Sequence, residues 1–156
     1  MSSASISVEI NSCRADIVRT EALIKELQVK LEEQEQDLSN FNSRRTDYED
    51  TVVMFERKKD RIEQMVANVN YAKKIGEKLQ TLKNERYTQV SRLDNTYNIM
   101  QTEKNKTYEE LLSAQGELAR LNQHLSSLQA AYDNAVHSEA VAAAAAAEAA
   151  SRRRPR

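Results

Sequence analysis

Apolar residues recur in alternating steps of four and three along the first half of the chain, and this spacing constrains the fold more than any other feature. In an α-helix such steps place the side chains on a single seam. A seam of this kind is stable in water only when another helix covers it, so the sequence predicts packing of helix on helix. The first seam consists of Ile6, Ile10, Cys13, Ile17, Ile24, Leu27, Leu31, Leu38, Phe41, Tyr48, Val52, Phe55, Ile62, Val66 and Val69.

The second half of the chain carries a seam of its own. Two four-residue steps in succession, from Leu82 through Arg86 to Val90, form a stutter, which would locally unwind a coiled coil. The second seam consists of Ile75, Leu79, Leu82, Arg86, Val90, Leu93, Tyr97, Met100, Lys104, Thr107, Leu111, Ala114, Leu118, Leu121, Leu125, Leu128, Tyr132 and Ala135.

The composition supports long helices rather than a broad globular core. Only two glycines, one proline and no tryptophan occur, whereas 30% of the residues are charged, a balance typical of solvent-exposed helices. Strands are not expected, because period-two alternation is confined to the segment from Ile6 to Ile10. We predict an all-α protein, an elongated antiparallel helical hairpin or coiled coil of two long helices.

Two asparagines and one of the two glycines gather near the middle of the chain, and we expect a turn at about residues 68–76. The hairpin, residues 1–139, would then have arms at about 5–69 and 77–139, each on the order of 90 to 100 Å long. Nearly equal arms let each apolar layer meet a mate on the returning helix. A continuous rod in a parallel dimer is the alternative, because one glycine within a helix costs only about 1 kcal/mol.

Residues 39–46 are a second candidate break, since Thr46 and Glu49 have the spacing of a capping box. The heptad phase nevertheless continues from Phe41 to Tyr48, and a loop would usually disrupt it. We expect a first arm that is continuous or slightly kinked at this point.

The composition changes again at residue 140, where an alanine tract is followed by a short arginine-rich end. Alanine favours helix but buries little surface. Residues 140–156 are therefore expected to form a helical extension and a basic disordered tail. A cationic anchor for anionic surfaces is the alternative reading of the tail.

No arrangement of side chains indicates catalysis, and we expect no enzyme, no catalytic residue, no metal and no cofactor. His124 and His137 lie thirteen residues apart, whereas a metal site needs three or four convergent ligands. The acidic run within residues 32–37 would be solvated on a helix, without the burial that shifts the pKa of a catalytic acid.

Charge and hydropathy narrow the classes of partner. A formal net charge of −1 argues against general nucleic-acid binding, and the lack of a run of 18 apolar residues argues against membrane insertion. The first residues lack the basic and apolar stretches of a signal peptide. We expect a cytoplasmic protein, or one exported without a cleavable signal, and we expect Cys13 to be a buried thiol.

Four cations interrupt the seams: Arg45, Lys59, Arg86 and Lys104. In a hairpin that turns near residue 73, Arg45 would approach Lys104, and Lys59 would approach Arg86. Acidic neighbours could relieve these like charges. Alternatively, the four cations accept acidic groups from another protein.

Several apolar residues fall outside both seams, and a two-stranded hairpin would leave them uncovered. We expect them to bind another helical protein or a second copy of the chain, giving a hetero- or homo-oligomer. Together with the four cations, the candidate partner-binding residues are Val18, Leu23, Val53, Met65, Tyr108 and Leu112.

The segment from Asn70 to Leu79 places an aromatic residue, Tyr71, and a glycine, Gly76, between the two predicted helices. With its hairpin layout, the chain resembles the small helical-hairpin proteins of type VII secretion systems, which have a Trp-x-Gly turn. One branch of these proteins accompanies LXG toxins as targeting partners. The resemblance covers about residues 4–136 and implies that Tyr71 and Gly76 are turn elements. Tyr71 stands where the family has tryptophan, and no Tyr is followed four residues later by the acidic residue of the usual export signature.

These observations predict a non-enzymatic helical interaction protein, an adaptor or an export partner of a larger helical protein. The resemblance implies an LXG-type toxin as that partner. Apolar stripes would supply the affinity and charges would select the partner. The alternative is a structural coiled-coil spacer or tether subunit of a larger assembly.

Overall fold

The computed structural model of the chain describes residues 2–67 and 71–152, and the side chains of residues 151 and 152 are not among those described. Two α-helices, α1 (Ser3–Val66) and α2 (Ala72–Arg152), pack against each other. They are antiparallel, because Ser3 contacts Glu139 whereas Cys13 contacts Leu121. No strand occurs in these ranges, and the predicted all-α helical hairpin is confirmed.

Helix α1 runs without interruption through residues 39–46. The Thr46 hydroxyl donates to the carbonyl of Asn42 at 3.1 Å, so it bonds back into its own helix instead of capping a new one. The predicted continuity of the first arm is confirmed. The unbroken heptad phase explains why the capping-box spacing has no effect here.

The turn is shorter on its C-terminal side than the sequence indicated. Ala67 and Tyr71 are turn residues, and residues 68–70 lie outside the described ranges, as does the predicted end of the first arm at Val69. Helix α2 begins at Ala72, five residues before the predicted start, and the amide of Ile75 donates to the carbonyl of Tyr71 at 3.1 Å.

Gly76 was predicted to be a turn element, and this prediction is wrong. It lies within α2 and does not have a positive φ. Its neighbours include alanine and lysine, which are good helix formers, and their propensity outweighs the cost of about 1 kcal/mol that a glycine adds. Tyr71 immediately precedes the helix and is largely exposed.

Contacts divide the chain into two compact units. We call Met1–Gln28 with Glu109–Arg156 the terminal unit, and Val29–Tyr108 the central unit. The terminal unit holds an apolar cluster of Ile6, Ile10, Cys13 and Leu128. Packed against that cluster are Ile17, Leu121, Leu125, Tyr132 and Ala135.

The start of α1 is held by a carboxylate from the other helix of the terminal unit. The Glu139 carboxylate accepts from the Ser3 amide at 2.9 Å and from the Ser3 hydroxyl at 2.7 Å. The amides of the first helical turn have no partner within their own helix, so an acceptor supplied by α2 satisfies one of them. This contact fixes the N-terminus of α1 to α2.

The central unit is covered less completely and uses polar side chains on its seam. Val52 is buried, and so are Lys59 and Thr107. The Thr107 hydroxyl donates to the carbonyl of Glu103 at 3.2 Å, so its burial leaves no unsatisfied hydroxyl. Polar seam positions fix the register of paired helices at some cost in stability.

The seams match the covered faces of both helices, except near the turn. Ile62 and Leu82 are 40% and 44% exposed. In α2 the covered residues here are Ile75, Leu79, Lys83, Arg86 and Val90. The two successive four-residue steps therefore run from Ile75 through Leu79 to Lys83, and not from Leu82 through Arg86 to Val90 as predicted. Lys83 covers the seam with its aliphatic stem while its amine reaches Glu56 at 3.3 Å.

The alanine-rich segment is helical, and α2 continues to Arg152. Every side chain from residue 140 to residue 150 is exposed, so the alanine-rich segment adds helix without burying its side chains. The final four residues of the predicted basic tail lie outside the described ranges. In the described chain, neither helix contains a segment sufficiently long and apolar to span a membrane.

Candidate partner-binding surface

Arg45 was expected to approach Lys104, and the structure overturns this. Its guanidinium lies 3.2 Å from the carboxylate of Asp94 and 4.6 Å from the ring centre of Tyr97. Its Nε is 3.6 Å from Glu49, which is too long for a hydrogen bond, and makes none. Arg45 therefore joins the two helices of the central unit.

The other three seam cations also have partners within the hairpin. Lys104 lies 3.2 Å from Glu35, and Lys59 lies 3.0 Å from Glu63 of its own helix. The Arg86 guanidinium stacks 4.3 Å from the ring centre of Phe55. The predicted approach of Lys59 to Arg86 stays a prediction, because Arg86 contacts Phe55, which lies one turn before Lys59 on α1. The error at Arg45 comes from the register, since α2 begins earlier than expected.

A carboxylate of α1 links two side chains of α2 in the central unit. The Tyr87 hydroxyl donates to Glu56 at 2.5 Å, and Lys83 lies 3.3 Å from the same carboxylate. The hydrogen bond from Tyr87 lowers the pKa of Glu56, and Lys83 lowers it further. The same hydrogen bond raises the pKa of Tyr87. These contacts are internal to the hairpin and leave no unpaired charge at Glu56.

The apolar candidates are all substantially exposed, which meets the first requirement of a docking surface. Val18 is 63% exposed and Met65 is 81% exposed. They are divided between the two units. Their binding role stays a prediction for each unit separately. The terminal unit holds Val18, Leu23 and Leu112, and the central unit holds Val53, Met65 and Tyr108.

One candidate, Leu23, lies in a groove between the two helices of the terminal unit. We call it the Leu23 groove; α1 contributes Thr20, Leu23 and Leu27, and α2 contributes Glu110, Ser113, Ala114 and Glu117. Leu27 and Ala114 are buried, whereas Leu23 is 46% exposed. The groove is therefore apolar and open to an incoming side chain.

Small residues of α2 explain why a groove forms at this point. Ser113 and Ala114 line α2 beside Leu23 and Leu27, and they are too short to cover Leu23 as well as Leu27. Gly116 follows, and a Cβ at that position would meet no atom within 4 Å. These short side chains are the feature of the sequence that could have predicted the groove. The heptad pattern records which positions are apolar, but not how large their side chains are.

Two glutamates give the groove an acidic rim. Glu110 and Glu117 are both exposed and are seven residues apart, hence about 10.5 Å apart along the same face of α2. Glu117 lies 3.9 Å from Arg120, a weak contact, and Glu110 has no ion pair within the described ranges. Sequence reasoning missed both residues, because a solvated glutamate on a helix is unremarkable until a groove lies beside it.

The described side chains include no group of three or more His, Cys, Asp and Glu that could hold a metal ion. His124 and His137 are both exposed. The geometry thus presents a helical hairpin with an apolar groove. The chain matches no known protein family, no curated protein and no solved structure.

Proposed function

We propose that this chain is a non-enzymatic adaptor that binds a helix of another protein in the Leu23 groove. The observation that carries the proposal is an exposed leucine beside a buried apolar floor, with carboxylates along one side. An amphipathic helix binds such a groove through apolar anchors spaced by one turn.

The acidic rim defines the chemistry of the partner. A helix with basic residues on one side of its apolar face would place them against Glu110 and Glu117. Complementary charges of this kind select the partner and accelerate association more than they add affinity. The affinity would come from burying the exposed part of Leu23, whose side chain is already partly covered by the hairpin.

The test compares two glutamate substitutions of exposed apolar residues. Leu23→Glu places a charge in the groove, whereas Val141→Glu places one on the unpacked end of α2. Each full-length variant is purified from its native cells beside the wild type, and its helicity is checked by circular dichroism. We expect Leu23→Glu to lose the protein that co-purifies with the wild type, and Val141→Glu to retain it. Equal recovery by both variants would overturn the proposal.

The resemblance to type VII secretion partners leads us to propose an LXG-type toxin as the bound protein. Co-expression with the helical region of such a toxin should give a complex that the wild type forms and Leu23→Glu does not. If the toxin is not retained, this partner is rejected, and the purification from native cells still decides whether the groove binds a helix.

A structural spacer or tether is the second candidate, and the length of the two helices, 64 and 81 residues, favours it. A spacer would assemble with copies of itself in the absence of any other protein. Size measurement of the purified chain separates the two candidates, because a spacer would form extended assemblies of many copies, whereas an adaptor would stay a small defined species until its partner binds.

A further inference from the structure

A second heptad stripe runs along the outer face of α1 in the terminal unit. Its spacing alternates between three and four residues, as in a coiled-coil seam, and all its members are exposed. Val8 is 69% exposed and Val18 is 63% exposed, although neither contacts α2 as part of the apolar cluster. The outer stripe consists of Val8, Asn11, Ala15, Val18, Ala22 and Lys25.

Outward from Val18, the outer stripe has an alanine on each side and then a polar residue on each side. Ala15 lies on one side and Ala22 on the other, followed by Asn11 and Lys25. In an antiparallel pair of copies, Val18 would meet Val18, and Ala15 would meet Ala22. Asn11 would meet Lys25, whose amine can donate to the asparagine carbonyl. The small alanines would let the two helices approach closely.

Charges beside the outer stripe fit the same arrangement. Arg14 and Glu21 are about 10.5 Å apart along α1, too far to pair with each other, and within the described residues neither makes an ion pair. In an antiparallel copy, Arg14 of each chain lies against Glu21 of the other. Arg19, on the opposite side of the outer stripe, is compensated by Asp16 of its own helix at 3.0 Å.

We propose that two copies of this chain associate through the outer stripe of α1, antiparallel, with the twofold axis at Val18. A twofold interface requires a self-complementary surface, in which residue i contacts j and j contacts i. The pairing of Ala15 with Ala22 and of Arg14 with Glu21 meets this requirement. The proposal goes beyond the adaptor function and uses a different surface from the Leu23 groove.

Charge reversal tests the proposed register. Arg14→Glu and Glu21→Arg each create two like-charge contacts, so each should weaken dimerisation about tenfold in analytical ultracentrifugation. The double variant carries both changes and should restore association, which a loss of folding could not do. Val18→Glu should give a monomer, and Val141→Glu should behave as the wild type.

Disulfide formation tests the orientation of the two helices. In the antiparallel pair, Val18→Cys places two thiols together at the axis, whereas Val8→Cys places them about 30 Å apart. We expect rapid oxidation to a covalent dimer for Val18→Cys alone. The wild type is the control, because its Cys13 is buried.

Three results would overturn the proposal: a monomeric wild type at all concentrations, a double charge variant that stays monomeric, or equal cross-linking of both cysteine variants. The adaptor function is judged separately, because Val18→Glu should leave binding in the Leu23 groove intact. Likewise, Leu23→Glu should leave the dimer intact.

Discussion

The contact between Glu139 and Ser3 makes the stability of the helix pairing depend on pH. The pKa of Glu139 is lowered from 4.5, first by the hydrogen bond from the Ser3 amide and then by that from its hydroxyl. A lowered pKa in the folded state means that the ionised carboxylate stabilises the fold above about pH 4.5. This stabilisation is lost as the pH falls through the folded pKa.

We expect Glu139→Gln to lower the melting temperature at about pH 7, where the native carboxylate is charged. The amide retains one acceptor but loses the charge that favours a helix N-terminus. Thermal melts between about pH 7 and pH 3 should show the two proteins converging in acid. Glu109→Gln, an exposed glutamate for which the structure shows no such bond, is the matched control, and an equal effect of both variants would contradict this account.

Individual contacts were the least predictable part of the candidate site. The burial of Cys13 followed directly from its place on the seam and is confirmed. The partner of Arg45 did not, because a turn displaced by a few residues replaces Lys104 with Asp94. A charged side chain does not indicate which residue of the other helix lies opposite it. The sequence therefore could not assign the cross-helix neighbours of the charged residues.

At the scale of the helices, the heptad repeat was sufficient to predict two long helices and the uninterrupted path of α1. It failed near the turn, where Lys83 takes the covered position instead of Leu82. The long aliphatic stem of a lysine can cover a seam as a leucine does. A hydrophobic pattern treats lysine as polar and therefore does not include it in the seam. The start of α2 was misplaced because a single glycine is a weak helix breaker.

The seam predicts that two leucines of the terminal unit contribute very differently to the free energy of unfolding. Leu27 is 6% exposed and Leu112 is 50% exposed. Leu27→Ala should lower the free energy of unfolding by about 2 to 4 kcal/mol, because it opens a cavity between the helices. Leu112→Ala should change it by about 0.5 kcal/mol or less. Urea denaturation measures both, and similar losses would mean that the seam is wrongly assigned.

At the scale of the whole chain, the sequence defined a hairpin but not its function. Which residues a docking groove needs depends on the partner, and the partner's sequence is not part of this chain. Glu110 and Glu117 therefore have no distinctive spacing or motif in the sequence. The short side chains beside Leu23 become meaningful only when both helices are placed. Fold thus follows from periodicity, whereas the binding surface depends on the details of packing.

The extent of the cooperative structure can be tested by truncation. Removing the residues after Val141 should leave the melting temperature unchanged, because the side chains from 142 to 150 are all exposed. The helical signal should fall in proportion to the residues removed. A chain ending at Ala131 is the comparison, because it loses Tyr132 and Ala135, which pack on the apolar cluster. An equal drop in both truncations would show that the alanine segment packs after all.

The burial of Cys13 makes the chain its own reporter of conformational opening. The thiol is 5% exposed and donates to the carbonyl of Leu121 at 3.4 Å, so an alkylating reagent reaches it only when the two helices part locally. The rate of alkylation thus measures how often the terminal unit opens, without any introduced label. A bound partner helix that braces the groove would slow that rate.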